Sequence, residues 1–323
     1  MIDTLYDSVI VGAGPGGLSA AIMLGRARRR VLVIDDATPR NRFSSHMHAV
    51  LGFDGAPPEE LSRRGRLELA QYDVTFVRAT ATAVETEADH LLVDTSAGPF
   101  RTRTVINAVG AADELAPIDG LRELWGKKAL HCPYCHGWEV RDSRLAVIAT
   151  PMMGLFQAQL LRQWSDDLTA FVADAGTPDE AALRQMSNLG TVVNSSTVVS
   201  VGTRPDSAID ITTVDGVITT VDAIFTGSTL VPRDSYLPPT LARTDSGFLA
   251  IDQNGRTTHP QIWTVGNAAS PYANVPMSMG NGSAVGGAVN LHLVESDVAQ
   301  ALAAGSDQDS PSRSHSIACN YKL

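Results

Sequence analysis

The sequence is poor in cysteine and equally poor in lysine. Cysteine occurs three times in 323 residues, as Cys132, Cys135 and Cys319. A secreted domain stapled by disulfides carries more, and a chain of this length can build a core without them. Lysine occurs only as Lys127, Lys128 and Lys322 among 25 basic residues, which reads as genomic base composition and not as chemistry. No run of about 18 apolar residues exists, so a membrane-spanning helix is not expected. The opening residues, MIDTLYDSVIVG, lack the basic start of a secretion signal and run directly into a strand pattern. These absences predict a cytoplasmic location. Acidic residues outnumber basic ones 35 to 25, a net charge of −10, which argues against nucleic acid and anionic membrane as partners.

What is present predicts an α/β chain of about two domains, with ample apolar residues for a core. Residues 6–11, YDSVIV, form an apolar run rich in β-branched residues, and GAGPGG follows. LSAAIMLGRARRR then has helical spacing with an arginine-rich end, and VLVIDD at 31–36 reads as a second buried strand. Strand, glycine-rich turn, helix and strand make one unit of a doubly wound parallel sheet. A helix at about 58–71 and short strand-like stretches follow. At 145–149, LAVIA restarts the pattern and predicts a second α/β unit. Near the end a Gly- and Ser-rich turn leads into a last helix, SAVGGAVNLHLVESDVAQALAAG, and the tail from Ser306 is polar and reads as disordered.

Residues 12–17 match G-x-G-x-x-G in the setting that motif needs, between a strand and a helix. Gly12 permits the tight turn, Gly14 lets a pyrophosphate approach the backbone, and Gly17 lets the helix pack on the strand. With Ala13, Pro15 and Gly16 they form a cradle whose helix N-terminus offers free N–H groups to phosphates. Asp35 or Asp36, at the end of the next strand, can accept hydrogen bonds from an adenosine ribose. The motif predicts a dinucleotide without choosing between NAD and FAD.

Cys132 and Cys135 form a C-x-x-C within LHCPYCHGWEV. One such pair supplies two ligands where a zinc site takes four, and no second C-x-x-C or H-x-x-x-H accompanies it. Redox chemistry therefore ranks ahead of a metal site or an inert pair, and no metal is expected. Free thiols have a pKa of about 8.5 and stay mostly protonated at pH 7. His136, directly after the pair, is of the residue type that can take a proton from them. Tyr134 and Trp138 flank the pair and serve either as pocket walls or as packing.

The glycine fingerprint, the C-x-x-C in a second α/β segment and a late T-V-G-N together resemble the low-molecular-weight thioredoxin reductase group of flavoproteins. The resemblance covers about residues 5–303. It implies two Rossmann-like, doubly wound domains. Residues 1–115 and 246–305 would form the FAD domain, 116–245 the cysteine-bearing domain, and 306–323 the tail. It implies FAD as cofactor, Gly266-Asn267 beside its ribityl chain, Ala111 backing onto it, and the last helix pointing its N-terminus at it near Val275. It also implies a homodimer.

Three departures from the reductases stand out. The second turn, LAVIATPMMG, has Ala149 and Pro151 in place of glycines, and proline has no N–H to offer a phosphate. The strand after it ends FVADAG, without the arginines that hold a 2′-phosphate; only Asp174 could suit NAD. The residue after the C-x-x-C is His136 where the reductases have Asp. The form Cys-Pro-Tyr-Cys-His-Gly is similar to FAD-dependent dithiol oxidases that close disulfides in microbial natural products of the holomycin and gliotoxin type. So is the loop RNRFSSHMHAVLGFDG, which places Arg40, Asn41 and His48 as cofactor contacts. This branch implies a small-molecule dithiol and O2 as substrates, Cys132 as the sulfur attacked, Cys135 against the flavin and hydrogen peroxide as by-product. Two alternatives stay open: a disulfide reductase fed by NAD(P)H, ferredoxin or another donor, and a non-catalytic flavoprotein redox sensor.

Overall fold

The computed structural model describes residues 4–151, 155–176 and 179–308. The chain opens with β1 (Leu5–Val11), α1 (Pro15–Arg26) and β2 (Val31–Asp35). It continues through α2 (Pro58–Leu69), β3 (Val74–Arg78), the hairpin β4 (Ala81–Thr86) and β5 (Leu91–Thr95), and β6 (Phe100–Asn107). These strands form a sheet of order β3-β2-β1-β6-β5-β4. Strands β1, β2, β3 and β6 run parallel, and the apolar runs of β1, β2 and the end of β6 are buried on both faces, as a covered parallel sheet requires, whereas β3 forms a partly exposed edge. Val9, Ile10, Leu32 and Val33 are wholly buried. Each such side chain contributes about 1.5–3 kcal/mol of transfer free energy.

From this sheet β7 (Ala111–Glu114) crosses to a second lobe. There α3 (Leu121–Leu124), β8 (Ala129–Leu130), α4 (Pro133–His136), β9 (Leu145–Ile148), α5 (Phe156–Leu161), β10 (Leu168–Phe171), α6 (Glu180–Asn188) and β11 (Val192–Asn194) follow in order. A three-stranded antiparallel meander comes next: β12 (Val198–Thr203), β13 (Ile209–Thr213) and β14 (Ile218–Val221). Then β15 (Ala223–Thr226) enters the parallel sheet β11-β10-β9-β15-β8. The return crossing, β16 (Thr229–Pro232), pairs antiparallel with β7. A two-stranded ladder thus carries both passages between the lobes. Back in the first lobe, β17 (Ile262–Thr264) joins β6, and α7 (Val275–Gln308) closes the chain.

The last helix begins at Val275, where the resemblance places its N-terminus and earlier than the residue pattern alone does. The segment SMGNGS, expected as a turn, lies inside α7. Glycine reads locally as a helix breaker, but here it serves a close contact. A Cβ on Gly282 would stand 2.1 Å from the carbonyl oxygen of Gly16 on α1. The helices meet backbone to backbone, and this brings the start of α7 beside the glycine-rich turn. The tail from Asp309, with Cys319, lies outside the described residues.

Candidate active site

The glycine-rich turn sits at the carboxyl end of β1, where β1 is flanked by β2 on one side and β6 on the other. That is the switch point at which ligands bind in open α/β sheets. Gly12 has φ of +105°, and a Cβ there would lie 2.4 Å from the Ala108 carbonyl oxygen. Gly17 is buried against β1, where a Cβ would stand 2.1 Å from the Gly12 oxygen. Gly14 faces open space within 4 Å of its Cβ position, and α1 starts at once after it.

From this turn a cavity of about 930 Å³ extends to the cysteines. Its wall includes Gly12, Ala13, Gly14, Pro15 and Gly16 at one end and Cys132, Cys135 and His136 at the other. Cys132 and Cys135 are joined as a disulfide, with Cα atoms 5.2 Å apart. Pro133 starts the short helix α4 between them, and the Cys135 N–H donates to the Cys132 carbonyl at 3.1 Å.

The two acidic candidates differ in their engagements. Asp35 accepts the Ala13 N–H at 3.0 Å and pairs with Arg66, so it ties the end of β2 to the turn. Asp36 accepts from the Thr38 N–H and hydroxyl at 3.0 and 2.6 Å, and from Arg233 at 2.8 Å. Burial works to raise its pKa, but the Thr38 and Arg233 bonds outweigh this and hold it below the usual carboxylate range. Both residues line the cavity.

Arg40 also lies on the wall, but its guanidinium is committed. It donates to Asp113 at 2.8 and 2.7 Å and reaches the Asn267 Oδ1 at 3.5 Å. Ser228 donates to the same carboxylate at 2.6 Å. Burial would raise the Asp113 pKa; Arg40 and Ser228 overcome it and lower it. Asn41 lines the cavity. The sequence reading missed Asp113, which follows the strand at no fixed motif spacing and meets Arg40 only through the fold.

Asn267, expected beside the ribityl chain, lines the cavity. Its NH2 faces the carbonyls of Ser270, Pro271 and Ala273 at 3.2, 3.0 and 2.9 Å. The amide therefore shapes the loop before α7. A carboxylate there would present lone pairs to three carbonyl oxygens, which explains why this loop suits Asn and not Asp. Gly266 lines the cavity and donates its N–H to Asn281 of α7 at 3.0 Å. Val275 and Ser278, in the first turn of α7, also face the cavity.

Ala111 lies off the wall. It is buried with Leu230 and Phe248, and its neighbours Val109, Gly110 and Asp113 line the cavity instead. Tyr134 and Trp138, 67 % and 64 % exposed, are not among the lining residues. Tyr134 packs edge-on against Trp164 with ring centres 5.8 Å apart, and Arg141 lies over Trp138 at 4.0 Å. Tyr134 also lines a second, shallower pocket with Phe156 and Trp164.

Four histidines gather at the sulfur end. His136 is half-buried, and burial lowers its pKa below the ordinary imidazole value; His48 adds to this and Glu139 opposes it. The His48 ring meets His136 edge-on, centres 6.4 Å apart, and His46 stands at the same separation on another side. His48 lines the cavity, as expected of a cofactor contact, but its Nδ1 also lies 3.5 Å from Asp54 and 3.5 Å from Glu139. His131, on the other side of the pair, is lowered by burial first and by the Arg40 charge second. Its Nδ1 is buried without a partner among the described residues, on the wall of the cavity.

Ala149, at the start of the second turn, is wholly buried after β9. Asp174, which was to suit NAD there, is exposed. Met152, Met153 and Gly154, the rest of that turn, lie outside the described residues.

The residues present fit FAD. The open space at Gly14, the two helix N-termini, Asp35 at the end of β2 and the unpartnered His131 nitrogen all converge on one elongated cavity. Its volume lies near the top of the roughly 300–1,000 Å³ range of small-molecule sites. No helix among the described residues is long and apolar enough to cross a membrane.

Comparison with known proteins agrees with the geometry. Residues 6–286 match the family described as pyridine nucleotide-disulphide oxidoreductase. A thioredoxin reductase, sirT, of Leptosphaeria maculans is 25 % identical over 316 residues, covering 92 % of this chain and 97 % of that one. A probable thioredoxin reductase of Arthroderma benhamiae is 31 % identical over 175 residues, 52 % of this chain and only 43 % of its relative. Among solved structures, HlmI superposes with a TM-score of 0.88 at 38 % identity, over 94 % of this chain and 97 % of that one. An oxidoreductase from Agrobacterium tumefaciens gives 0.83 at 30 % identity, over 90 % and 99 %. The chain belongs to the pyridine nucleotide-disulphide oxidoreductase family, as a thioredoxin reductase-like flavoprotein whose cofactor is FAD.

Proposed function

We propose that this protein is a dithiol oxidase: it closes a disulfide within a small-molecule dithiol and passes the two electrons to O2, acting in the cytoplasm as a homodimer. One observation carries the reading. The Cys132–Cys135 disulfide opens into the same cavity as the dinucleotide cradle, so a small guest can reach the sulfurs beside the cofactor. The second lobe supports it, because Ala149 and Pro151 stand where a nicotinamide-binding turn has glycines.

The steps balance as R(SH)2 + O2 → RS2 + H2O2. A substrate thiol gives its proton to His136, whose buried ring is neutral at pH 7. The thiolate attacks Cys132, and the Cys132–Cys135 bond breaks to leave Cys135 as thiolate. The second substrate thiol passes its proton to the Cys135 thiolate, attacks the substrate sulfur bound to Cys132 and displaces Cys132 as thiolate, and the cyclic disulfide leaves. Residues 12–17, Asp35 and the α7 N-terminus would hold FAD, which would supply a two-electron acceptor between the enzyme dithiol and O2. Helix α4 is too short for a full macrodipole, so the proton acceptor beside the pair carries most of the thiol activation.

The test mixes purified protein with dithiothreitol in air, and separately with NADPH and NADH without air. One O2 consumed and one H2O2 formed per dithiol, with no flavin bleaching by either nicotinamide, supports the oxidase. Bleaching by NADPH or NADH at a rate comparable to turnover identifies a reductase instead.

A further inference from the structure

The oxidase reading leaves a proton problem. Each turnover draws two protons from substrate thiols at the inner end of the cavity, where His136 is half-buried. A base that cannot pass its proton on stops after one transfer, and in the half-reaction before O2 arrives solvent is the open outlet. His136 faces Glu139 and His48, and His48 faces His46, Asp54 and Glu139 as well. These groups come from two separate stretches, the loop after β2 and the segment after α4. The T-shaped arrangement, 6.4 Å between ring centres, leaves a gap between the His136 and His48 rings that one water can bridge. The route ends at the surface: the Glu139 side chain is 38 % exposed and that of Asp54 73 %. Glu139 does not line the cavity, so it is free of any part in holding the cofactor.

We propose that His48 relays protons from His136 to solvent, and that Glu139, with Asp54, holds the positive charge His48 acquires on the way. The transfer is stepwise and balanced. The thiol proton moves to His136; the imidazolium passes a proton through water to one ring nitrogen of His48; and His48, flanked by two carboxylates, releases a proton from its other nitrogen to solvent. No electron moves in these steps. The proposal rests on the oxidase reading for its direction, but the same path serves any dithiol–disulfide exchange at Cys132–Cys135. This gives His48 a task beyond the cofactor contact expected of it. It also accounts for the two carboxylates at equal distance from one ring nitrogen.

The test is anaerobic bleaching of the flavin by dithiothreitol across pH, in the intact holoenzyme. Any flavoprotein with this disulfide shows that half-reaction, so it is measurable whatever the final acceptor; failure of the oxidase reading shows separately, as absent O2 uptake by the unaltered protein. Glu139→Gln should bleach about tenfold more slowly at pH 7, with its flavin content unchanged. Asp54→Asn should lose less, and Glu139→Asp should recover part of the rate. The deficit should vanish above about pH 9.5, where dithiol ionises in water without help, its thiols having a pKa of about 8.5. A second readout is independent of turnover. Nitrogen-15 NMR of the histidine rings should show the His136 titration displaced to lower pH in Glu139→Gln, because a stabilising carboxylate is gone. A deficit equal at all pH values, or none, together with an unmoved His136 titration, overturns the relay.

Discussion

Two turns of this molecule occupy equivalent places after the first strand of a βαβ unit. Their residues differ. The turn after β1 keeps a positive-φ glycine, an open approach at Gly14 and a twelve-residue helix behind it. The turn after β9 begins with buried Ala149 and exposed Pro151, and the helix beyond, α5, has six residues. Both lobes retain a parallel sheet. A sheet needs only apolar strands and a crossover, whereas a phosphate needs bare backbone N–H groups. A parallel sheet can therefore persist whatever its turns hold, and here the second lobe carries the two sulfurs.

The comparison breaks most severely at Gly12. Gly12→Val forces a β-branched residue to φ of +105° against the Ala108 carbonyl, so the protein should purify without flavin and without dithiol turnover. Absorbance near the flavin band, set against protein concentration, checks this. A smaller effect is expected at Asn267→Asp. It replaces the donors facing three carbonyls with a carboxylate, and should weaken FAD retention roughly tenfold, about 1.4 kcal/mol, in an equilibrium dialysis measurement. The reverse experiment restores glycine at the second turn. Ala149→Gly with Pro151→Gly should leave dithiol turnover within about twofold and still give no bleaching by NADPH, because no arginine follows β10 to take a 2′-phosphate. Bleaching would show that two side chains alone separate the lobes.

The smallest expected effect is a pH dependence of stability that tells the regions apart. His131 and His136 flank the disulfide, and burial lowers both pKa values below about 6.5, the unfolded value. The unfolded chain thus takes up protons before the folded one does. Stability from these sites is complete above pH 6.5 and declines as pH falls below it. Asp36 and Asp113, on the cradle side, are lowered from the model-peptide carboxylate value, so their contribution is lost only under more acid conditions, below about pH 4. Denaturant midpoints of the unaltered protein should begin to fall below pH 6.5, and less steeply in His131→Asn.

Local chemistry made part of this legible in the sequence. Strand, turn and helix at 5–26 follow from β-branched residues, glycines and helical spacing within one window, and the cysteine pair announces itself by spacing. Contacts between distant segments carry no such sign. Arg40 meets Asp113, and His48 meets His136, only once the lobes are in place. The residue type of Asn267 permits a cofactor contact; that its NH2 also faces three nearby carbonyls depends on the loop's path and has no sign in the sequence. The glycines of α7 misled for a related reason. Their sequence signature is that of a turn, and the neighbour that makes them useful, Gly16, lies far upstream.

The ladder of β7 and β16 has a mechanical meaning. Both covalent passages between the lobes run side by side, so any swing of one lobe against the other would pivot there, as a door turns on a single strap. Arg40, from the first lobe, is bolted across that pivot to Asp113, which Ser228 also grips. Turning the pivot would pull a guanidinium from a carboxylate that is 9 % exposed, and both would have to be rehydrated together. The resting position of the sulfurs, facing inward, is thus secured at the axle and not at the rim.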